Sequence, residues 1–201
     1  MKNGYKLIGL AVLAASSSFA SAIQLVSNGD FEGGIAPWVE NSPPAFIISN
    51  HGVLSFGADP NNDYAWLGGY SNADDIITQT INFGSLAGTA TLTFDYSDFD
   101  ANEDPDYDYF TVSIGSTLLE KIDIGAGANG VERISAKSYD VSSFMGTGVQ
   151  TLEFRVTTDV ALASSAFVDN VSIDAQPVPE PATMAALGLG LAAVVRRRKS
   201  K

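Results

Sequence analysis

An antiparallel β-sandwich of the jelly-roll kind is the architecture this sequence predicts, on three observations. Between residues 23 and 176 apolar side chains recur at every second position, the period of a half-buried strand, rather than every three or four. Clusters of Gly, Asn, Asp and Ser, such as GADPNND and GAGANG, interrupt the alternating runs. The runs number eight to ten and are short, which fits two packed antiparallel layers and no helical layer. Helix is expected only outside this region, as an N-terminal signal helix and a short apolar helix near the C-terminus.

The elements follow in order. Lys2 and Lys6 precede an apolar run at 7–15, and Ala20-Ser21-Ala22 follows it. A basic start, an apolar middle and small residues at the end make residues 1–22 a secretory signal peptide, cleaved after Ala22. Strands are predicted in ATLTFDYSD (90–98), YFTVSI (109–114) and QTLEFRVT (150–157), and at 45–49, 64–68, 76–81, 117–124, 131–139 and 165–173. In ATLTFDYSD, Leu92, Phe94 and Tyr96 share one face, while Thr91, Thr93 and Asp95 share the other. Phe110, Val112 and Ile114 repeat the pattern, as do Leu152, Phe154 and Val156 with Glu153 and Arg155 outward. The domain bounds are 1–22, 23–176 and 177–201.

The last predicted strand raises a conflict. Strict alternation puts Phe167, Asp169, Val171 and Ile173 on one face, so a carboxylate points to the apolar side. A buried carboxylate without a partner is costly and must be protonated, hydrogen-bonded or matched by a cation. Between residues 23 and 178 there are 22 acidic residues and only Lys121, Arg133, Lys137 and Arg155, a formal charge of about −18 against −12 for the whole chain. An ion pair is therefore scarce, and calcium, which takes six to eight oxygen ligands, resolves the conflict. The same charge balance repels nucleic acid and anionic lipid at long range and is compatible with bound cations or neutral glycans. The chain has no cysteine, which removes disulfides and thiol chemistry.

The stretch DYSDFDANEDPDYDYF carries seven acids between Asp95 and Asp108. It lacks the spacing of a calcium loop and is read as a solvated acidic hairpin loop, with a second calcium site as the other reading. Asp108 would fix the exit of that loop. Trp66 is assigned to the core and Trp38 to a loop covering one end of the sandwich. Tyr70 and Tyr107, beside loops, are the candidate platforms for a sugar ring. His51 is the only histidine and lies in a turn-like segment, with no nucleophile motif around it. Glycosidase chemistry needs two carboxylates converging in a cleft, one with a raised pKa, and abundance in a loop supplies neither.

The C-terminus carries a different signal. Pro179-Glu180-Pro181 precedes fourteen uncharged residues at 182–195, followed by Arg196, Arg197, Arg198 and Lys199. A helix of that length spans roughly 21 Å, short of the roughly 30 Å hydrocarbon core. The cationic end favours the cytoplasmic side. These three parts resemble the PEP-CTERM sorting signal of Gram-negative bacteria. The resemblance implies an exosortase as processing partner, cleavage near the Pro-Glu-Pro motif and delivery to the cell surface or beyond in bacteria that make exopolysaccharide. The short helix suits transient residence in the inner membrane, with a permanent anchor as the other reading.

NGDFEGG at 28–34, YAWLGG, IITQTI, DYFTVSI and VDNVSI at 168–173 resemble, in that order, the galactose-binding-like jelly rolls that include many carbohydrate-binding modules. The resemblance implies a structural calcium joining the first segment to the last strand. Its ligands here would be the Glu32 and Asp169 side chains and a backbone carbonyl at Asp30, with Asp63 as an addition. The expected function is that of a non-catalytic, exported matrix or surface protein engaging polysaccharide. A structural envelope or biofilm component without sugar affinity is the alternative, and a small secreted hydrolase a minor one.

Overall fold

A computed structural model describes residues 22–41, 48–49, 62–85, 87–100, 107–124, 134–160, 164–178, 188 and 190. The signal peptide through Ser21, His51, Pro179, Glu180, Pro181, Arg196, Arg197, Arg198 and most of 182–195 lie outside these residues. Among the described residues no helix is long and apolar enough to cross a membrane.

Among the described residues, eleven strands form two antiparallel sheets. They are β1 (Ile23–Gln24), β2 (Val39–Glu40), β3 (Ile48–Ser49), β4 (Tyr64–Gly68), β5 (Asp74–Asn82), β6 (Gly88–Asp100), β7 (Tyr109–Ile114), β8 (Thr117–Asp123), β9 (Ser135–Asp140), β10 (Val149–Thr157) and β11 (Ser164–Pro177). One sheet has the order β3-β4-β11-β6-β9, with β1 also on β11; the other is β2-β5-β10-β7-β8. The all-β sandwich expected from the alternation is therefore the architecture of the body.

The inward sets are those the period of two assigns. Leu92, Phe94 and Tyr96 of one sheet face Phe110, Val112, Ile114, Leu152, Phe154 and Val156 of the other, all buried. Phe94 packs edge-on against Phe154 at 5.1 Å between ring centres, and Phe110 stacks on Phe154 at 6.1 Å. Each such ring contributes about 1.5–3 kcal/mol by leaving water. Trp38 goes deeper than a loop cover would: it is 3% exposed and tilts against Phe31 at 5.3 Å and Phe154 at 6.1 Å.

Three expectations are corrected. The strand expected in ATLTFDYSD, residues 90–98, extends to Asp100, because β11 pairs with β6 from Pro177↔Gly88 through Ser164↔Asp100. Asp95 and Asp98 therefore belong to a ladder, and the acidic loop is shorter than the alternating charges implied. Trp66 is half-buried on the outer face of its sheet, against Phe167 at 5.5 Å, rather than between the sheets.

The third correction concerns β11. Val168 pairs with Tyr96 and faces the core, so Phe167 and Asp169 face outward. The ladder then shifts register between Asp169 and Ser172, where Asn170 takes the left-handed conformation with φ of 51°. The extra residue reverses the parity, and Val171, Ile173 and Ala175 turn into the core. Asp169 therefore does not share a face with Val171 and Ile173. It is fully buried even so, on the outer side of its sheet.

Candidate functional site

Two neighbourhoods hold the residues singled out in the sequence. The first forms around the β11 bulge. The N-terminal loop is organised by Asn28, whose side-chain amide donates to Gly34 O (2.6 Å) and Ala36 O (3.2 Å) while its Oδ1 accepts from Gly33 N (2.8 Å). The Asn28 carbonyl accepts the Trp38 indole N–H at 2.8 Å. Phe31 plugs the core beside Trp38, which leaves its neighbours Asp30 and Glu32 on the exposed side of the turn. Gly29 must be glycine because its backbone crosses β11: its carbonyl accepts Val171 N at 2.8 Å, and a Cβ would stand 1.9 Å from Val171 O.

This loop and the bulge meet the segment before β4. Glu32 Oε1 accepts Asp63 N at 2.9 Å, and Asp169 Oδ2 accepts the Asn62 side-chain amide at 2.8 Å. Asp169 Oδ1 accepts Asn170 N at 2.7 Å. The Asn170 amide donates to Asp95 Oδ2 at 2.9 Å and to Asp169 Oδ2 at 3.3 Å. Burial pushes the Asp169 carboxyl up to about 6 against the pull of the Asn62 and Asn170 hydrogen bonds, and the charges of Asp95 and Asp30 push the same way as burial.

The ion pair between Arg155 and Asp74 lies elsewhere, on the other sheet. Lys121 stands over the Tyr109 ring and Lys137 over the Tyr96 ring. Asp169 thus has amide donors and further carboxylates around it, with no ion-pair partner among the described residues. The oxygen-only donor set and uncompensated charge suit a hard cation. Among the described residues no three acidic or histidine side chains are grouped to hold one ion, so most ligands would have to be carbonyl oxygens or water.

The second neighbourhood is the end of the sandwich where β4, β6, β8 and β10 finish. Thr158 and Asp159 stitch its loops together. Thr158 Oγ1 accepts Ala73 N (2.7 Å) and donates to Tyr70 O (2.9 Å), Asp159 O accepts Asn72 N (2.6 Å), and Asp159 N donates to Asp108 Oδ1 (2.8 Å). Tyr70 and Tyr107, apart in sequence, so come to the same end. Their surroundings differ. Tyr107 is 58% exposed, whereas the Tyr70 hydroxyl donates to Asp75, a buried carboxylate that also accepts Gly68 N at 2.8 Å. Asp108 is buried and fixes the loop exit as its position before β7 implied.

Several residues of these sites carried no sequence signal. Asn62 reads as an ordinary turn residue, Asn170 as an interior residue of the strand predicted at 165–173, and Thr158 as a strand end. Asp75 lies one residue before the strand predicted at 76–81, where alternation from Ile77 would already have pointed it inward.

Comparison with known proteins fits this anatomy. Residues 177–199 match the PEP-CTERM protein-sorting motif. No curated protein sequence matches the chain. Among solved structures, a cleaved adhesin domain of Lys-gingipain from Porphyromonas gingivalis is similar at 19% identity, over 76% of this chain and 99% of that one, with a TM-score of 0.50. An arabinose-bound α-L-arabinofuranosidase, MgGH51, is similar at 11% identity over 78% of this chain and 27% of that chain, TM-score 0.51. TmCBM61 in complex with β-1,4-galactotriose is similar at 13% identity over 75% and 97%, TM-score 0.47. The class is thus a two-sheet β-sandwich protein carrying a sorting motif at its C-terminal end. More particularly, the motif marks an exported protein directed to the cell surface and implies processing by an exosortase.

Proposed function

We propose that the protein is a non-catalytic surface or matrix component that binds polysaccharide, including exopolysaccharide of the producing cell, through the acidic loop end of its sandwich. The observation that carries this reading is the convergence of three loops, at 70–73, 107–108 and 158–160, on one end of the sandwich, with Tyr107 58% exposed there. An exposed aromatic face stacks on sugar C–H groups, and carboxylates accept hydroxyl hydrogen bonds, the usual combination of apolar surface and a few polar groups in ligand sites. The end lies away from the sorting motif, so it points outward while the motif is held in the inner membrane before cleavage.

A hydrolase would need a carboxyl group of raised pKa reachable by substrate. Asp169 has the raised pKa but is fully buried, which supports the non-catalytic reading. Asp169 and Glu32 are proposed to hold a structural calcium, with a backbone carbonyl at Asp30 and a contribution from Asp63. The support is the approach of the two chain segments through Asn62 and Asp63, and the unneutralised charge of Asp169, Asp95 and Asp30. The ion would neutralise that charge and clamp the N-terminal loop to β11.

Co-sedimentation of the protein with purified exopolysaccharide and a glycan array, each with calcium present, test the glycan reading. Binding that falls on Tyr107→Ala supports it. Concentration-dependent self-assembly with no affinity for any polysaccharide replaces it with the structural-component reading.

A further inference from the structure

Charge is distributed unevenly along the sandwich. The loop end described above carries Asp74, Asp75, Asp98, Asp100, Asp108, Asp123 and Asp159. At the opposite end, residues 22–29, 82–85, 87–94, 113–119, 141–152 and 175–178 contain no Asp, Glu, Lys or Arg, and the exposed Asp140 and Asp174, both paired with Thr91, border them. In a body with a formal charge of about −18, so large a neutral surface at one end is unexpected on composition alone.

These segments form one continuous surface. Phe83 N donates to Gly148 O (2.8 Å), Gly148 N to Gly84 O (2.9 Å), Gly115 N to Thr151 O (2.8 Å) and Val178 N to Ala87 O (2.8 Å). Ile23 of β1 pairs with Ala175 of β11. The surface presents Ile23, Val149 and Val178, which are 50%, 63% and 59% exposed. Beside them a groove of about 360 Å³ is lined by Leu25, Phe83, Met145 and Ala175 among others.

The sorting motif begins on this same surface. Its match starts at residue 177, the last residue of β11, and the apolar segment starts at 182. The four steps from Val178 to Ala182 reach at most about 14 Å. A body tethered this closely cannot keep a distance from the bilayer that holds its tail. The acidic end is set off by the length of β6, 13 residues and so roughly 40 Å, several times the Debye length of about 8 Å, and its repulsion of anionic lipid is screened. Charges on the near face itself would be less screened; the named segments hold none, and Asp140 and Asp174 stand about three residues, roughly 10 Å, in from Gly88.

We propose that this uncharged end is a membrane-facing surface, which lies against the lipid headgroup region with Ile23, Val149 and Val178 at the boundary while the sorting segment is held in the bilayer. The inference rests on the membrane-held stage of the sorting reading.

The absence of native cysteine allows a clean test. The full chain carrying Val149→Cys or, at the far end, Val160→Cys is labelled with an environment-sensitive fluorophore and reconstituted into vesicles of phosphatidylethanolamine and phosphatidylglycerol. The label at 149 should shift to the blue and lose emission to headgroup nitroxide lipids, while the label at 160 stays water-like. If the chain floats with the vesicles and both labels remain water-like, the surface stands off the bilayer and the proposal is overturned. If the label at 149 is shielded before vesicles are added, the cover is protein, a second copy or the chain's own tail, and the lipid assignment is wrong. If the chain does not float at all, it is the membrane-held stage that fails, and the proposal falls with it.

Discussion

Asp169 and Asp95 stand directly across from each other in the β11–β6 ladder, and the side-chain amide of Asn170 donates to both. Like charges facing each other across a strand pair are destabilising, the more so when one is buried. One neutral amide softens this repulsion without cancelling it. The bulge at Asn170 is therefore a place where the fold gains from either a proton or a cation.

The first prediction concerns the cation. Calcium at a hundredfold excess over its Kd should stabilise the protein by about 2.7 kcal/mol, on the order of 5–10 °C in Tm, over a chelator-treated sample. Asp169→Asn should abolish most of the increment. Identical thermal midpoints with calcium and with chelator, together with a metal analysis showing no bound ion, would remove the calcium site.

The second concerns the proton. In chelator, the Asp169 carboxyl is raised from its ordinary value of 3.8 to about 6 in the folded protein, chiefly by burial. Its contribution to stability is fully present below about pH 4 and is lost as pH rises through about 6, since the folded state then has to hold the charge. Urea midpoints of the wild type should fall between pH 4 and 7 relative to those of Asp169→Asn, and calcium should flatten the difference. Parallel profiles for the two proteins in chelator would show that position 169 does not titrate in this window.

The third concerns the crossing at Gly29. A Cβ there meets backbone, the Val171 carbonyl, so neither side can yield without moving β11. Gly29→Ala should cost about 3 kcal/mol in urea denaturation. Gly34→Ala, at φ of 79° in open space, should cost only about 1–2 kcal/mol for its backbone conformation. Equal costs at the two positions would mean that the crossing is not tight.

The fourth separates the two tyrosines. Tyr70→Phe takes a donor from buried Asp75 and should destabilise the protein by about 1–3 kcal/mol. Tyr107→Ala should leave the thermal midpoint unchanged and weaken polysaccharide binding, because the ring is largely exposed. Loss of stability in the Tyr107 variant with binding intact would assign that ring a structural role.

The sandwich and its inward faces at Leu92–Tyr96, Phe110–Ile114 and Leu152–Val156 are legible in residue order, because a strand's two faces are a local property with a period of two. The tail is legible for a related reason: its proline pair, apolar run and cations work as a linear signal. Face assignment fails at Asp169, since one left-handed residue, Asn170, shifts the parity and no composition marks it. The extent of β6 was equally hidden, as acids that look like loop residues are held by a partner strand some 70 positions away. The pairing of Glu32 with Asp63, of Asn62 with Asp169, and of the Tyr70 loop with Asp159 joins positions 31 to 107 residues apart. Such meetings follow from how the two sheets stack and where their loops land, which is a property of the whole packed chain and of no segment within it.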